Sequence, residues 1–351
     1  MTHLPSNPIW IYDTTLRDGS QREGLSLSIE DKLRIARQLD EMGIPFIEGG
    51  WPGANPKDVQ FFWQLQEEPL KQAEVVAFCS TRRPHQAAAE DKMLQALLAA
   101  GTRWVTIFGK SWDLHVTAGL NTSLEENLAM IRDTIEYLRS QGRRVIYDAE
   151  HWFDGYKNNP EYALETLLTA RDAGAEWLVL CDTNGGTLPH EISQVVQEVL
   201  KATGIGVSEK KVGETSQEKW GRGDAGTRGR GEIPTKISLT RNNQSPIPNS
   251  QFPIPNSQFP IPQLGIHTHN DSDTAVANAL AGVHEGVRMV QGTINGYGER
   301  CGNANLCSLI PNLQLKLGYS CIENEQLAKL AQVSRLTSEV VNLAPDDHAP
   351  F

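Results

Sequence analysis

Residues 267–271 read HTHND, and His267 and His269 stand two apart at the end of an apolar lead-in. In a strand, side chains at i and i+2 project to one face, so both imidazoles would share one space. Imidazole suits zinc, manganese, cobalt or iron, and an added carboxylate or amide oxygen moves the preference toward harder divalent ions. Two other stretches offer such oxygens: DTTLRDGSQ (13–21), with Asp18 beside Arg17, and NGYGERCGN (295–303), which ends in Asn303. By itself HTH is either a ligand pair or a polar, hydrogen-bonding strand end. The glycines of NGYGERCGN free the backbone for an irregular loop over a ligand. Cys301 has no paired base in sequence and reads as an inert or loop-shaping thiol. His151 reads as a packing or hydrogen-bonding residue.

Eight short apolar runs would have to position these groups: 9–13, 45–50, 75–79, 104–109, 143–151, 177–183, 264–269 and 287–293. Helical patterns alternate with them. SIEDKLRIARQLDEMG spaces Leu33, Ala36, Arg37 and Leu39 on one helix face, with Gly43 as its stop. Others cover about 57–67, 86–100, a stretch opened by Thr122 and Ser123 with Glu125 and Glu126, EYALETLLTARDAG, and one ending near Leu200. Continuous apolar strands with crossover helices imply a parallel sheet buried on both faces. Eight such units predict a (β/α)8 TIM barrel. The alternative, a doubly wound open sheet, is weakened because no glycine-rich dinucleotide fingerprint follows the first strand.

The polar residues then collect at the C-terminal strand ends, where barrels do chemistry. Strand 2 brings Glu48, strand 5 Asp148, Glu150 and His151, strand 6 Asp182 and Thr183, and strand 7 the two histidines.

Residues 206–262 break the pattern. Glycine, charged residues, Ser and Asn dominate first, then PIPNSQF occurs twice in tandem (246–252, 253–259). Proline at every second or third position denies helix and sheet hydrogen bonding, and little apolar surface remains to offset ordering entropy. The stretch therefore reads as a disordered insertion between helix 6 and strand 7, on the rim opposite the polar residues. A Pro-rich docking motif is the functional alternative, but no PxxP site with flanking basic residues stands out.

With 351 residues, 39% hydrophobic and 21% charged, the chain can bury a large core. A formal charge of -11 argues against a general binder of nucleic acid or anionic membrane. No apolar run approaches the roughly 20 residues that span a bilayer. The opening MTHLPSNPIW lacks the basic and apolar regions of a secretory signal. Five scattered cysteines without a CxxC pair suit reduced thiols in a cytoplasmic protein.

DTTLRDGSQ, HTHND and NGYGERCGNANL, in that order, resemble the 2-isopropylmalate, homocitrate and citramalate synthase family, barrel acyltransferases related to hydroxymethylglutaryl-CoA lyase. The likeness runs from about residue 9 to 320, interrupted by the insertion. FIEGGWPGANPKD (46–58), YDAEHWFDGYKNNPEYA (147–163) and the run from NGYGERCGN to LQLK are similar to the citramalate synthase branch in particular. The resemblance implies a divalent metal (Mn2+, Mg2+, Zn2+ or Co2+) on Asp18, His267, His269 and Asn303. It implies that Arg17 binds the keto acid and stabilises oxyanion charge, and that Glu150 is the acid/base. Thr183 would contact the substrate carboxylate, with Gln21 and Glu48 lining the site. The implied reaction joins acetyl-CoA to pyruvate and water, giving (R)-citramalate and CoA in isoleucine biosynthesis. A partly desolvated Glu150 would need the raised pKa that base catalysis requires.

The resemblance also implies a barrel over 1–320 and, over 321–351, the start of a helical accessory region cut short, with a regulatory domain missing. Relatives complete their sites through that region, so a homodimer is expected if the part present suffices. A 2-isopropylmalate- or homocitrate-type synthase is the alternative within the class. A metal-dependent acyl-CoA lyase would use the same rim but typically a GCPYA-like strand-8 loop. An inactive fragment is the non-enzyme alternative.

Overall fold

The computed structural model describes residues 8–205, 262–344 and 348. Eight parallel strands close into a barrel in chain order: β1 (Trp10–Asp13), β2 (Phe46–Gly50), β3 (Glu74–Ser80), β4 (Trp104–Lys110), β5 (Arg144–Glu150), β6 (Trp177–Asp182), β7 (Gln263–Thr268) and β8 (Met289–Gly292). Closure comes from β1 pairing with β8, in register from Trp10 opposite Met289 to Asp13 opposite Gly292. The open-sheet alternative is thereby excluded. The reading of 206–262 as disordered falls, but for Pro262, outside the described residues.

Local chemistry places the helices. Ser28 and Asp31 form a reciprocal capping box that starts α1 (Ile29–Glu41), and Gly43 takes the left-handed φ of 82° that ends it. α2 (Pro56–Glu67) opens on Asn55 and Pro56. The predicted helix over 86–100 starts late: Asp91 accepts from the Met93 and Leu94 amides, so α3 is only Lys92–Ala99. Ser123 caps α4 (Leu124–Ser140). A short helix that the periodicity did not suggest, α5 (Trp152–Asn158), follows β5. Then come α6 (Pro160–Asp172), α7 (Pro189–Thr203) and α8 (Ala275–Glu285). Three more end the described chain: α9 (Leu306–Pro311), α10 (Asn324–Leu327) and α11 (Leu330–Val340). The helix after β6 is thus α7, and residues 206–262 join its end to β7.

Two buried layers result. Between strands and helices lies a large apolar shell that includes Ile11, Ile47, Phe61, Leu178, Ile266 and Val290, and also Leu330 and Val333 of α11. Inside the barrel, Tyr12, Phe46, Val76, Trp104, Ile146, Trp177, Val179 and Met289 form a second cluster. Alternation along each strand sends one set outward and the other inward. Each inward face is consequently a short column running from the N-terminal base of the barrel to its C-terminal mouth.

Candidate active site at the barrel mouth

At the mouth, the end of β7 and the residue just past it carry His267 and His269, both nearly fully buried. The loop after β1 turns back beneath them: the Thr14 amide donates to the Gly292 carbonyl (2.8 Å), and the Gly19 amide to the Thr14 carbonyl (3.0 Å). That fold carries Asp18 to the histidines. His267 Nε2 lies 3.2 Å from Asp18 Oδ2 and His269 Nε2 3.8 Å from it, while the two Nε2 atoms are 3.2 Å apart. Among the described residues these three form one cluster whose donor atoms lie within 4.8 Å of one another.

Burial works against the Asp18 charge, but Arg17, the hydrogen bond from His267 and the nearby His269 hold it well below the usual carboxylate range. His267 is also penalised by burial, yet Asp18 raises its pKa. Burial, then the neighbouring His267, pushes His269 down to about 3, so its ring is neutral with a lone pair available.

Asn303 is brought to the same place. It pairs with His269 in an isolated antiparallel bridge, and its Nδ2 donates to the Tyr297 carbonyl (3.0 Å). Its Oδ1 is buried without a hydrogen-bond partner among the described residues. An orphaned buried amide oxygen costs stability unless something satisfies it. Two imidazoles, a carboxylate and that oxygen form a donor set that suits a divalent ion.

Arg17 is held rigidly. Its Nε donates to Glu48 Oε2 at 2.6 Å, and its guanidinium carbon sits 3.8 Å from the Phe78 ring centre. Glu48 is fully buried, and its other oxygen accepts from the Tyr12 hydroxyl (2.9 Å). Glu48 is expected in the lining. Here both its oxygens are occupied and it touches Arg17 instead of the cavity.

Arg17, Asp18, Gln21, Asp148, Glu150, Thr183, His267 and His269 all line one cavity of about 200 Å3, with Trp51, Phe78, Phe108 and Cys181 on its apolar side. The Thr183 hydroxyl accepts from the His151 amide (2.9 Å), which leaves its own proton free for a ligand. His151 has a φ of 54°, and its ring meets His115 edge-on at 4.4 Å, in keeping with a packing role. Cys301 is exposed, and none of the five cysteines is in a disulfide.

Three contacts escaped the sequence reading. Glu150 is engaged by Lys110 Nζ at 2.5 Å, an ammonium supplied from the end of β4. Asp148, two residues deeper on the same face, carries a raised carboxyl pKa, which burial and then Glu48 push up to about 7. Gln291 of β8 links Asp148 to the metal-type cluster. Its Nε2 donates to Asp148 Oδ1 (3.0 Å), and its Oε1 accepts from His267 Nδ1 (2.7 Å). A histidine that donates through Nδ1 presents Nε2 to an ion. No motif announces a lone glutamine in an apolar strand; only its inward position on β8 could have suggested it.

The HMGL-like family profile matches residues 8–209 and 256–336. The chain belongs to the HMGL-like family. A relative in this family, the (R)-citramalate synthase of Synechocystis sp., is 65% identical over 344 residues, covering 98% of this chain and 54% of its own. The chain therefore spans about half the length of that relative. A 2-isopropylmalate synthase of Sulfurisphaera tokodaii is 28% identical, over 96% of this chain and 70% of its own. Among solved structures, an HMG-CoA lyase of Bacillus subtilis superposes with a TM-score of 0.68 over 97% of this chain and 96% of its own. At 17% identity that likeness shows the fold of the family alone.

Proposed function

We propose that this barrel holds a divalent ion (Mn2+, Mg2+, Zn2+ or Co2+) on Asp18, His267, His269 and Asn303, and condenses acetyl-CoA with pyruvate and water to give (R)-citramalate and CoA. The observation that carries the reading is the meeting of the metal-type triad, a fixed guanidinium and a small aromatic-walled cavity at one barrel mouth. The 65% identity to a citramalate synthase supports it over the same residues. The bound ion would supply Lewis acidity and a template for the keto acid's oxygens.

The chain's own groups account for the rest. Arg17, locked by Glu48 and Phe78, donates to the carbonyl oxygen that gains charge as the new carbon–carbon bond forms, without reorganising. Thr183 donates its free hydroxyl proton to the substrate carboxylate. Gln21 closes the cavity beside them. Glu150 takes a proton from the acetyl methyl group, with Lys110 beside it to balance charge. The methyl carbon bonds to the keto carbon, whose oxygen takes a proton to become the hydroxyl, and water then cleaves the thioester to release CoA. Phe78 and Phe108 stack at 5.1 Å, and Trp51 meets both edge-on. This stiff wall faces a small space and favours a methyl over a branched side chain. The free thiols suit a reducing compartment, and we place the protein in the cytoplasm.

The test is CoA release from acetyl-CoA with pyruvate, 2-oxoisovalerate or 2-oxoglutarate, with and without Mn(II) or Mg(II). Release with pyruvate, dependent on metal, is the expected result. Activity confined to 2-oxoisovalerate would replace the reading with a 2-isopropylmalate-type synthase, and no release in any combination would overturn it.

A further inference from the structure

The loop that presents Asn303 is gripped from outside the barrel. Asn295, at a left-handed φ of 60°, opens that loop, and its side-chain amide is held by α11. Its Nδ2 donates to the Ser334 carbonyl and to Ser338 Oγ, both at 3.0 Å, and its Oδ1 accepts from Ser334 Oγ at 2.6 Å. Ser338 Oγ also lies 3.1 Å from the Tyr297 hydroxyl. Tyr297 in turn offers its carbonyl to Thr293 Oγ1 (2.7 Å) and to Asn303 Nδ2 (3.0 Å). Between them Gly298, at φ 153°, makes the room: a Cβ there would overlap Asn303 Nδ2. With Nδ2 committed to Tyr297, the Asn303 amide cannot flip without losing a bond, and Oδ1 remains the unpartnered atom. The helix is itself fixed, with Leu330, Val333 and Thr337 buried.

We infer that α11 is a positioning element of the metal site: Ser334 and Ser338 hold Asn295 and Tyr297, and through the Tyr297 carbonyl they set Asn303 Oδ1 as a donor beside His269. This rests on the metal reading above. It makes residues far outside the three sequence motifs part of what builds the site. It also means that residues 1–320 supply the proposed ligands but do not by themselves hold Asn303 in place.

The test uses the full chain with metal ion alone. Mn(II) affinity is read by electron paramagnetic resonance, and Co(II) reports coordination number through its visible absorption, which intensifies as donors are lost. The double variant Ser334→Ala/Ser338→Ala is expected to weaken Mn(II) binding about tenfold, as loss of outer-shell support does elsewhere, and to intensify the Co(II) bands. Val333→Ala, which opens a hole in the same helix but spares the network, should lower the melting temperature and leave Mn(II) affinity unchanged. Wild-type affinity in the double variant overturns the inference, and so does an equal loss in Val333→Ala, because packing would then explain it. If the double variant does not fold, Ser338→Ala is read by the same criteria. A wild-type chain that binds no Mn(II) overturns the metal reading itself, and is recognised because His267→Ala then changes nothing.

Discussion

The two ends of one barrel are built from the same eight strands and have opposite chemistry. At the base, Trp10, Phe46, Trp104 and Trp177 pack against one another, with ring centres 5.2 Å apart for Phe46 and Trp104 and 6.4 Å for Trp10 and Trp177, and they line a second cavity of about 350 Å3. The charges there are spent on each other: Arg144 lies 4.0 Å over the Trp104 ring and pairs with Glu176. At the mouth, the same strands end in Phe108, Asp148, Glu150, Cys181, His267 and Gln291, and titratable groups crowd together there. Burial of a polar cluster is costly unless each group has a partner. At the base, Arg144 and Glu176 are each other's partners. At the mouth, Asn303 Oδ1 and His269 Nδ1 have none among the described residues. The difference teaches where to look for function: aromatic packing is concentrated at one end of the barrel, and the titratable groups gather around a cavity at the other.

His267→Ala should break the contrast most. It removes a donor from the mouth and is expected to cut metal-dependent CoA release by at least about 10⁴-fold, since a bound ion contributes several kcal/mol to the reaction. Circular dichroism should remain near wild type; retained turnover would show that the cluster holds no catalytic ion. The converse change, Trp104→Ala at the base, should cost about 3–5 kcal/mol of stability in denaturant unfolding. It should leave the KM for pyruvate of the folded enzyme unaltered, and a large rise in KM would mean that the two ends are not separable.

Gln291→Leu tests the boundary between the layers. It keeps the volume but ends the donation from His267 Nδ1, and should weaken Mn(II) binding roughly 10- to 100-fold with little loss of stability. An unchanged affinity would show that His267 needs no such orientation. The smallest effect is expected from Asp13→Asn. Burial, opposed by its hydrogen bonds with Thr15, raises the Asp13 pKa to about 7 from an ordinary 3.8. Between those values the folded chain holds a proton that the unfolded chain does not. The contribution to stability is therefore full below about pH 4 and is lost as pH rises through about 7. Melting temperatures between pH 5 and 8 should fall more steeply for wild type than for Asp13→Asn, and parallel profiles would refute the shift.

Much of the fold was legible because its signal is local. Eight apolar runs alternating with helical patterns carry their own boundaries, and the observed strands lie within one or two residues of those runs. α5 was missed because Trp152–Asn158 is short and lies directly after a strand, with no room for a period to show. Asp18, His267, His269 and Asn303 were legible as types at strand ends, and the structure brings them together.

The partners of those residues were not legible. Lys110 reaches Glu150 from β4, Gln291 reaches His267 from β8, and Ser338 reaches Asn295 across 43 positions of chain. Strand polarity and alternation, written in the sequence, determined which residues face inward and at which end. Closing the barrel decided which of them touch. Contact between distant strands depends on register and stagger, which no single segment encodes. The hydrogen bonds that set a tautomer, lock a guanidinium or leave one amide oxygen bare exist only once all eight strands are in place.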